Sequence, residues 1–286
     1  MKRVWRDLAC VFGLALAGRV GIAVLIRDPG YMDTAYYSAG AVRIAQGGGL
    51  TEPFIWNYLD NPQGLLNPGY LYWMPLPSLL AAPMAALFPG SFLALQLPFA
   101  IISALLPLAA YGISWQATRN RRLAWLSAFL MLFSGFFFPY WTLPETFALF
   151  GVFGCLAMWI AASAVTGKAT IPAGTCAKGR QFLGFTVIGV LAGLAHLTRA
   201  DGVLILFIVA AWVAVVHLRR MGRGGLNKSI LSSLAGLLGG YALVMTPWFV
   251  RNLGVIGRPL AAGGTMTLWL TDYDDLFCYG CDLSPH

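Results

Sequence analysis

The sequence predicts an all-α fold, a polytopic membrane helical bundle of about seven transmembrane helices with a large first extracytoplasmic loop. Three observations lead there. Hydrophobic residues make up 58% of the 286 and charged residues only 10%, with a mean hydropathy of +0.71, whereas a soluble domain carries roughly 25% charged residues. Apolar runs of the ~20 residues that a bilayer crossing takes recur from end to end. The basic residues sit in short clusters between those runs, which is a topology signal. The net charge of +8 therefore does not point to nucleic acid as a partner. No arginine-rich surface helix, aromatic platform or finger spacing accompanies it.

The first span is expected over residues 8–26. Its start, from Met1 to Arg6, is basic like that of a signal peptide, but the apolar run is longer than an h-region and no small-x-small cleavage site follows. An uncleaved first helix is the expectation, with Arg19 inside it, a costly residue in lipid unless paired or snorkelling. Residues 27–91 read as the first extracytoplasmic loop. Within it, 34–46 has an amphipathic pattern, and 73–88 is apolar but punctuated by Pro75, Pro77 and Pro83, as an interfacial or re-entrant helix would be. Six further spans are expected at 92–114, 123–139, 144–164, 182–198, 202–217 and 229–249. The division is a membrane core over 1–250 and an extracytoplasmic tail over 251–286. The tail is acidic at Asp272, Asp274, Asp275 and Asp282 and carries Cys278 and Cys281, either a short disulfide or an unlinked pair. Two cysteines do not fill a four-ligand zinc site.

Placing the N-terminus in the cytoplasm puts thirteen basic residues inside: Lys2, Arg3, Arg6, Arg119, Arg121, Arg122, Lys168, Lys178, Arg180, Arg219, Arg220, Arg223 and Lys228. Only Arg27, Arg43, Arg199, Arg251 and Arg258 fall outside, so the positive-inside rule selects this orientation in the cell (plasma or inner) membrane. Ten of the eleven acids fall outside as well, Asp7 being the exception. Chemistry is thus expected on the outer face, where nucleotide sugars are not normally available, and an energised substrate arrives most simply as a lipid-linked donor.

Two carboxylates stand out. Asp33, in "PGYMDTAYYSAG", reads either as a cap for the following helix or as a base near the bilayer surface. Glu145, in "YWTLPETFALF", reads either as an acid favoured at a helix N-terminus or as a functional carboxylate at membrane depth. If the two meet, they can orient an acceptor, take its proton or share a divalent cation. Arg199, in "HLTRADG", can pair with Asp201, and Arg251, in "TPWFVRN", can snorkel; either can instead hold a lipid phosphate. Tyr36 and Tyr37 belong to an aromatic-rich first loop with Tyr31, Trp56, Tyr58, Tyr70, Tyr72 and Trp73, read either as a membrane-interface belt or as sugar-stacking surfaces. Gly47-Gly48-Gly49 lacks the strand and lysine of a phosphate loop. The three histidines are too scattered for a metal cluster.

Four stretches, in this order, resemble the GT-C superfamily of membrane glycosyltransferases: "GYMDTAYYSAGAVRIAQG", "NPGYLYWMPLPSLLAAPMAALFPG", "WTLPETFALFGVFGCLAMW", and the pair "HLTRADG" with "TPWFVRNLGVIGRP". The resemblance is closest to the branch of protein O-mannosyltransferases and aminoarabinose lipid A transferases, family 39/83-like. It implies a seven-helix core, a polyprenyl-phosphate-linked sugar donor and an acceptor that is a lipid, a protein or a cell-wall glycan, with membrane lipids around the bundle. It places the acceptor-activating carboxylate on Asp33, the second acidic position on Glu145, and phosphate or substrate contacts on Arg251, Arg199, Tyr36 and Tyr37. Where relatives often carry two adjacent acids, Asp33 is followed by Thr34, and where several have aspartate this chain has Glu145, so a metal-free acid pair and a divalent cation stay open as alternatives. The chain also stops soon after the seventh span, where similar enzymes continue, as a C-terminally truncated or minimal member would. The expected function is transfer of a sugar from that donor at the outer face. The rivals are a transporter or flippase, for which Arg19 is the main midplane feature, and an inactive remnant.

Overall fold

The computed structural model describes residues 2–59, 62, 64–134, 138–166, 177–220, 228–261, 263 and 266–281. Asp60, Lys168, Cys176, Arg223 and Asp282 lie outside the described residues, as do the side chains of Lys178, Arg180, His217, Arg219, Arg220 and Lys228. The chain runs through helices α1 (Lys2–Leu25) and α2 (Met32–Ala45), then a two-strand pair, β1 (Thr51–Glu52) and β2 (Asn67–Pro68). It continues through α3 (Leu76–Leu87), α4 (Phe92–Ser103), α5 (Leu105–Thr118), α6 (Arg121–Leu132), α7 (Thr146–Thr166), α8 (Ala177–Thr198), α9 (Val203–Arg220) and α10 (Lys228–Ile256). The strands pair antiparallel, Thr51 opposite Pro68 and Glu52 opposite Asn67.

Among the described residues, five helical stretches are long and apolar enough to cross a membrane: Lys2–Leu25, Phe92–Thr118, Thr146–Ala164, Gln181–Thr198 and Ile230–Ile256. This corrects the expected count of about seven. The span expected at 123–139 overlaps α6, a helix of 12 residues that ends at Leu132; at 1.5 Å per residue it rises about 18 Å against a hydrocarbon core of ~30 Å. Residues 135–137 of that span lie outside the described residues. The span expected at 202–217 corresponds to the shorter apolar stretch Ala200–Val216.

Polar side chains join the apolar helices where backbone groups need partners. Gln96, fully buried on α4, donates through Nε2 to the carbonyls of Ala23 (3.1 Å) and Ile26 (2.9 Å). It thereby satisfies carbonyls that the end of α1 leaves unpaired. At the other end of α1, buried Asp7 accepts from Arg121 Nε and Nη2, each at 2.6 Å, and from Tyr111 Oη at 2.7 Å, tying α1 to α5 and α6. Arg19 is completely buried; its Nη1 donates to the Phe138 carbonyl at 3.2 Å, and its guanidinium lies 4.8 Å from the Phe138 ring centre.

Helices α8 and α10 approach closely through glycines at four-residue spacing. A methyl at Gly189 would strike the Leu237 carbonyl, and one at Gly240 the Thr186 carbonyl, while Gly193 and Gly236 face the same seam. Small residues let backbones approach where lipid removes the hydrophobic driving force between helices. Around this seam Phe185, Ile188, Val209, Val213 and Leu237 form one buried cluster, and Phe99, Leu106, Leu149 and Val152 form another under α2 and α3.

Candidate functional site

The site is built at the end of the bundle where α1 finishes, α2 and α7 begin and α8 finishes. The backbone of Tyr31, not Asp33, caps α2: Tyr31 is extended (φ −156°) and makes no side-chain capping bond. Asp33 follows in the first turn, where the helix dipole favours an acid. Its carboxylate is half-buried and accepts no hydrogen bond from the described residues. Burial pushes its pKa up and Arg199 opposes that shift. Of the two readings of Asp33, the capping bond is the one that does not form.

Glu145 is engaged on both oxygens and only 1% exposed. Oε1 accepts from the Thr146 amide and hydroxyl, each at 2.8 Å, and from the Phe147 amide at 3.3 Å. Those are free amides at the start of α7. Oε2 accepts from Tyr31 Oη at 2.9 Å, which bridges α7 to the start of α2. Burial raises the Glu145 pKa against the bonds from Thr146 and Tyr31, and Asp33 adds to the rise as a nearby like charge. The helix-start role of Glu145 and its nearness to Asp33 therefore hold together.

Arg199 lies within electrostatic reach of Asp33, Glu145 and Tyr37. Its Nε and Nη2 form a fork with Asp201 at 3.0 and 3.2 Å, and its guanidinium sits 5.5 Å from the Phe150 ring centre. Tyr37 is 1% exposed, its hydroxyl has no partner among the described residues, and burial first, then Glu145 and Asp33, raises its pKa well above the usual value.

Arg251 and Tyr36 belong to a neighbouring group. Arg251 Nη2 donates to the carbonyls of Leu50 (2.8 Å) and Gly69 (3.0 Å), Nη1 donates to Asn252 Oδ1 (2.9 Å), and the guanidinium lies 4.9 Å from the Trp248 ring centre. It ties the first loop to α10. Tyr36 donates to Glu52 Oε1, which also accepts from the Tyr70 amide at 2.8 Å. Sequence reasoning did not single out Glu52. Its environment is created by the pairing of β1 with β2, which carries no motif. Burial raises the Glu52 pKa, and it pushes that of Tyr70 up to about 12. Among the described residues no group of three His, Cys, Asp or Glu gathers as a metal site. Cys278 and Cys281 are joined in a disulfide.

One solved structure superposes on most of the chain. It is the apo-form oligosaccharyltransferase of Archaeoglobus fulgidus, with a TM-score of 0.62 over 92% of this chain and 17% sequence identity. The fold is shared. The match covers 33% of that protein, so the chain spans about a third of its length. No protein-family model matches the chain, and no curated protein matches it.

Proposed function

We propose that the chain is a GT-C-type glycosyltransferase that moves a sugar from a polyprenyl-phosphate-linked donor to an acceptor at the outer face of the membrane, with its N-terminus in the cytoplasm. One observation carries the reading: Asp33, Glu145 and Arg199, from three distant segments, converge at one end of a bundle whose fold is shared with an oligosaccharyltransferase, and no described residue hydrogen-bonds the Asp33 carboxylate. In this reading an acceptor hydroxyl attacks the anomeric carbon while the bond from that carbon to the phosphate oxygen breaks. The electron pair leaves with the polyprenyl phosphate, and the acceptor proton goes to Asp33. In the same reading Arg199 neutralises the departing phosphate, with Asp201 fixing the plane of its guanidinium. Glu145 acts by position: it holds Tyr31 and the start of α7. Arg251 supports the loop.

No step is routed through a cation. Asp33 and Glu145 are the pair that would share one, and hard divalent cations take six or more oxygen ligands. The test is transfer by the purified chain in lipid, with radiolabelled polyprenyl-phosphate sugars and a membrane extract as the acceptor source. Label transfer by the parent and not by Asp33→Asn is expected; equal transfer by the two would overturn the assignment.

A further inference from the structure

A cleft of about 510 Å³ opens beside the site, between the first loop and the end of α10. None of Asp33, Glu145 or Arg199 lines it, but its wall residue Tyr72 lies within electrostatic reach of Asp33. Three half-buried aromatic rings form one wall: Trp56 sits 4.4 Å from Trp73 and 4.5 Å from Tyr72, centre to centre. Tyr36 continues that wall, 4.6 Å from Trp73. The polar side chains of the lining include Glu52, Asn57, Asn67 and Arg258. Glu52 is held from behind: its Oε1 takes Tyr36 and the Tyr70 amide, and its Oε2 has no partner among the described residues. Gly69 leaves it the space, since a methyl there would come within 3.1 Å of Glu52 Cγ.

This combination selects among ligands. A lipid tail would strip water from the Glu52 carboxylate without replacing it. A cationic head group would find the aromatic wall and the carboxylate but would leave the side-chain amides of Asn57 and Asn67 unused. A pyranose fits both features. Its C–H face lies on an aromatic ring, and its rim of hydroxyls donates and accepts, matching a carboxylate and side-chain amides. We propose that the cleft is a carbohydrate subsite, holding a pyranose of a glycan acceptor against Trp56 and Tyr72 while Glu52 Oε2 accepts from one of its hydroxyls. The proposal rests on the glycosyl-transfer reading and narrows its acceptor to a carbohydrate.

The experiment is saturation-transfer NMR on the chain in lipid nanodiscs, with a panel of neutral hexose and N-acetylhexosamine tetrasaccharides. Saturable binding of at least one is expected. Trp56→Ala weakens it roughly 10-fold, Trp56→Tyr restores most of it, and Glu52→Gln, which keeps an acceptor for Tyr36 but puts a donor in the cleft, weakens it roughly 5-fold. Because Trp56 also packs on Phe277, melting temperatures are read alongside, and Glu52→Gln carries the test if Trp56→Ala does not fold. The idea fails if no tetrasaccharide binds, or if binding is the same in Glu52→Gln and the parent. Asp33→Asn separates the two readings. Sugar binding that survives in it while transfer is lost supports both. Asp33-dependent transfer with no tetrasaccharide binding overturns the subsite and leaves the enzyme; binding with Asp33-independent transfer supports the subsite and overturns Asp33 as the base.

Discussion

The two ends of α1 use the same residue types in opposite ways. At one end Asp7, Arg121 and Tyr111 close on one another, with both Asp7 oxygens taken by the arginine and one also by the tyrosine. At the other end Asp33, Arg199 and Tyr37 share a neighbourhood, yet no described residue hydrogen-bonds the Asp33 carboxylate or the buried Tyr37 hydroxyl. A closed set has spent its hydrogen-bonding capacity on the fold. An open set still has it for a ligand, and costs stability until one arrives. Both ends contain an acid, a guanidinium and a phenol, so residue type alone does not distinguish a bolt from a site; the saturation of the acceptors does.

The largest effect expected from this contrast is at Asp33. Asp33→Asn should lower transfer at least ~100-fold, the lower range for loss of a positioned base, with little change in melting temperature because no hydrogen bond to the carboxylate is lost. The matched Asp7→Asn should do the opposite: transfer per folded molecule near the parent's, and a melting temperature lower by roughly 5 °C. If Asp7→Asn cost activity and Asp33→Asn cost stability, the comparison would be inverted. Next comes Arg199→Ala, expected to raise the KM for the lipid-linked donor roughly 10-fold, whereas Arg251→Ala should loosen the first loop, read as faster proteolysis between residues 46 and 75.

The smallest effect is a shift in pH dependence. A base must be deprotonated to act, and burial holds the Asp33 pKa above the ordinary aspartate value of 3.8, so activity should fall as pH drops through that raised value. Arg199 pulls the Asp33 pKa down. Removing its charge in Arg199→Gln should therefore move the acid limb to higher pH. An unchanged limb would mean that Asp33 is not the group titrating.

Much of the fold was legible because a bilayer imposes long apolar runs whatever the helices do next. Five of the expected spans fall on helices long enough to cross, and α2 falls on the stretch read as amphipathic. The excess in the count has a local cause. Residues 123–139 are apolar throughout most of their length, but composition does not show where hydrogen bonding stops, and α6 stops at Leu132. The spacing of Gly189 with Gly193 and Gly236 with Gly240 was present in the sequence; its meaning emerges only when the two helices face each other.

By itself the sequence determined the environment, the all-α class, the sorting of basic and acidic residues between loops, and the candidacy of Asp33 and Glu145, because each depends on residues near one another in the chain. Tertiary structure alone decided which arginine stands with those acids. It put Arg199 within reach of Asp33 and committed Arg251 to the carbonyls of Leu50 and Gly69. It also brought Glu52 into an aromatic cleft through a strand pair of two residues each. The physical reason is common to all three. A charge's role is set by what closes its hydrogen bonds and excludes its water, and those partners lie up to 201 residues away along the chain, where no local pattern can specify them.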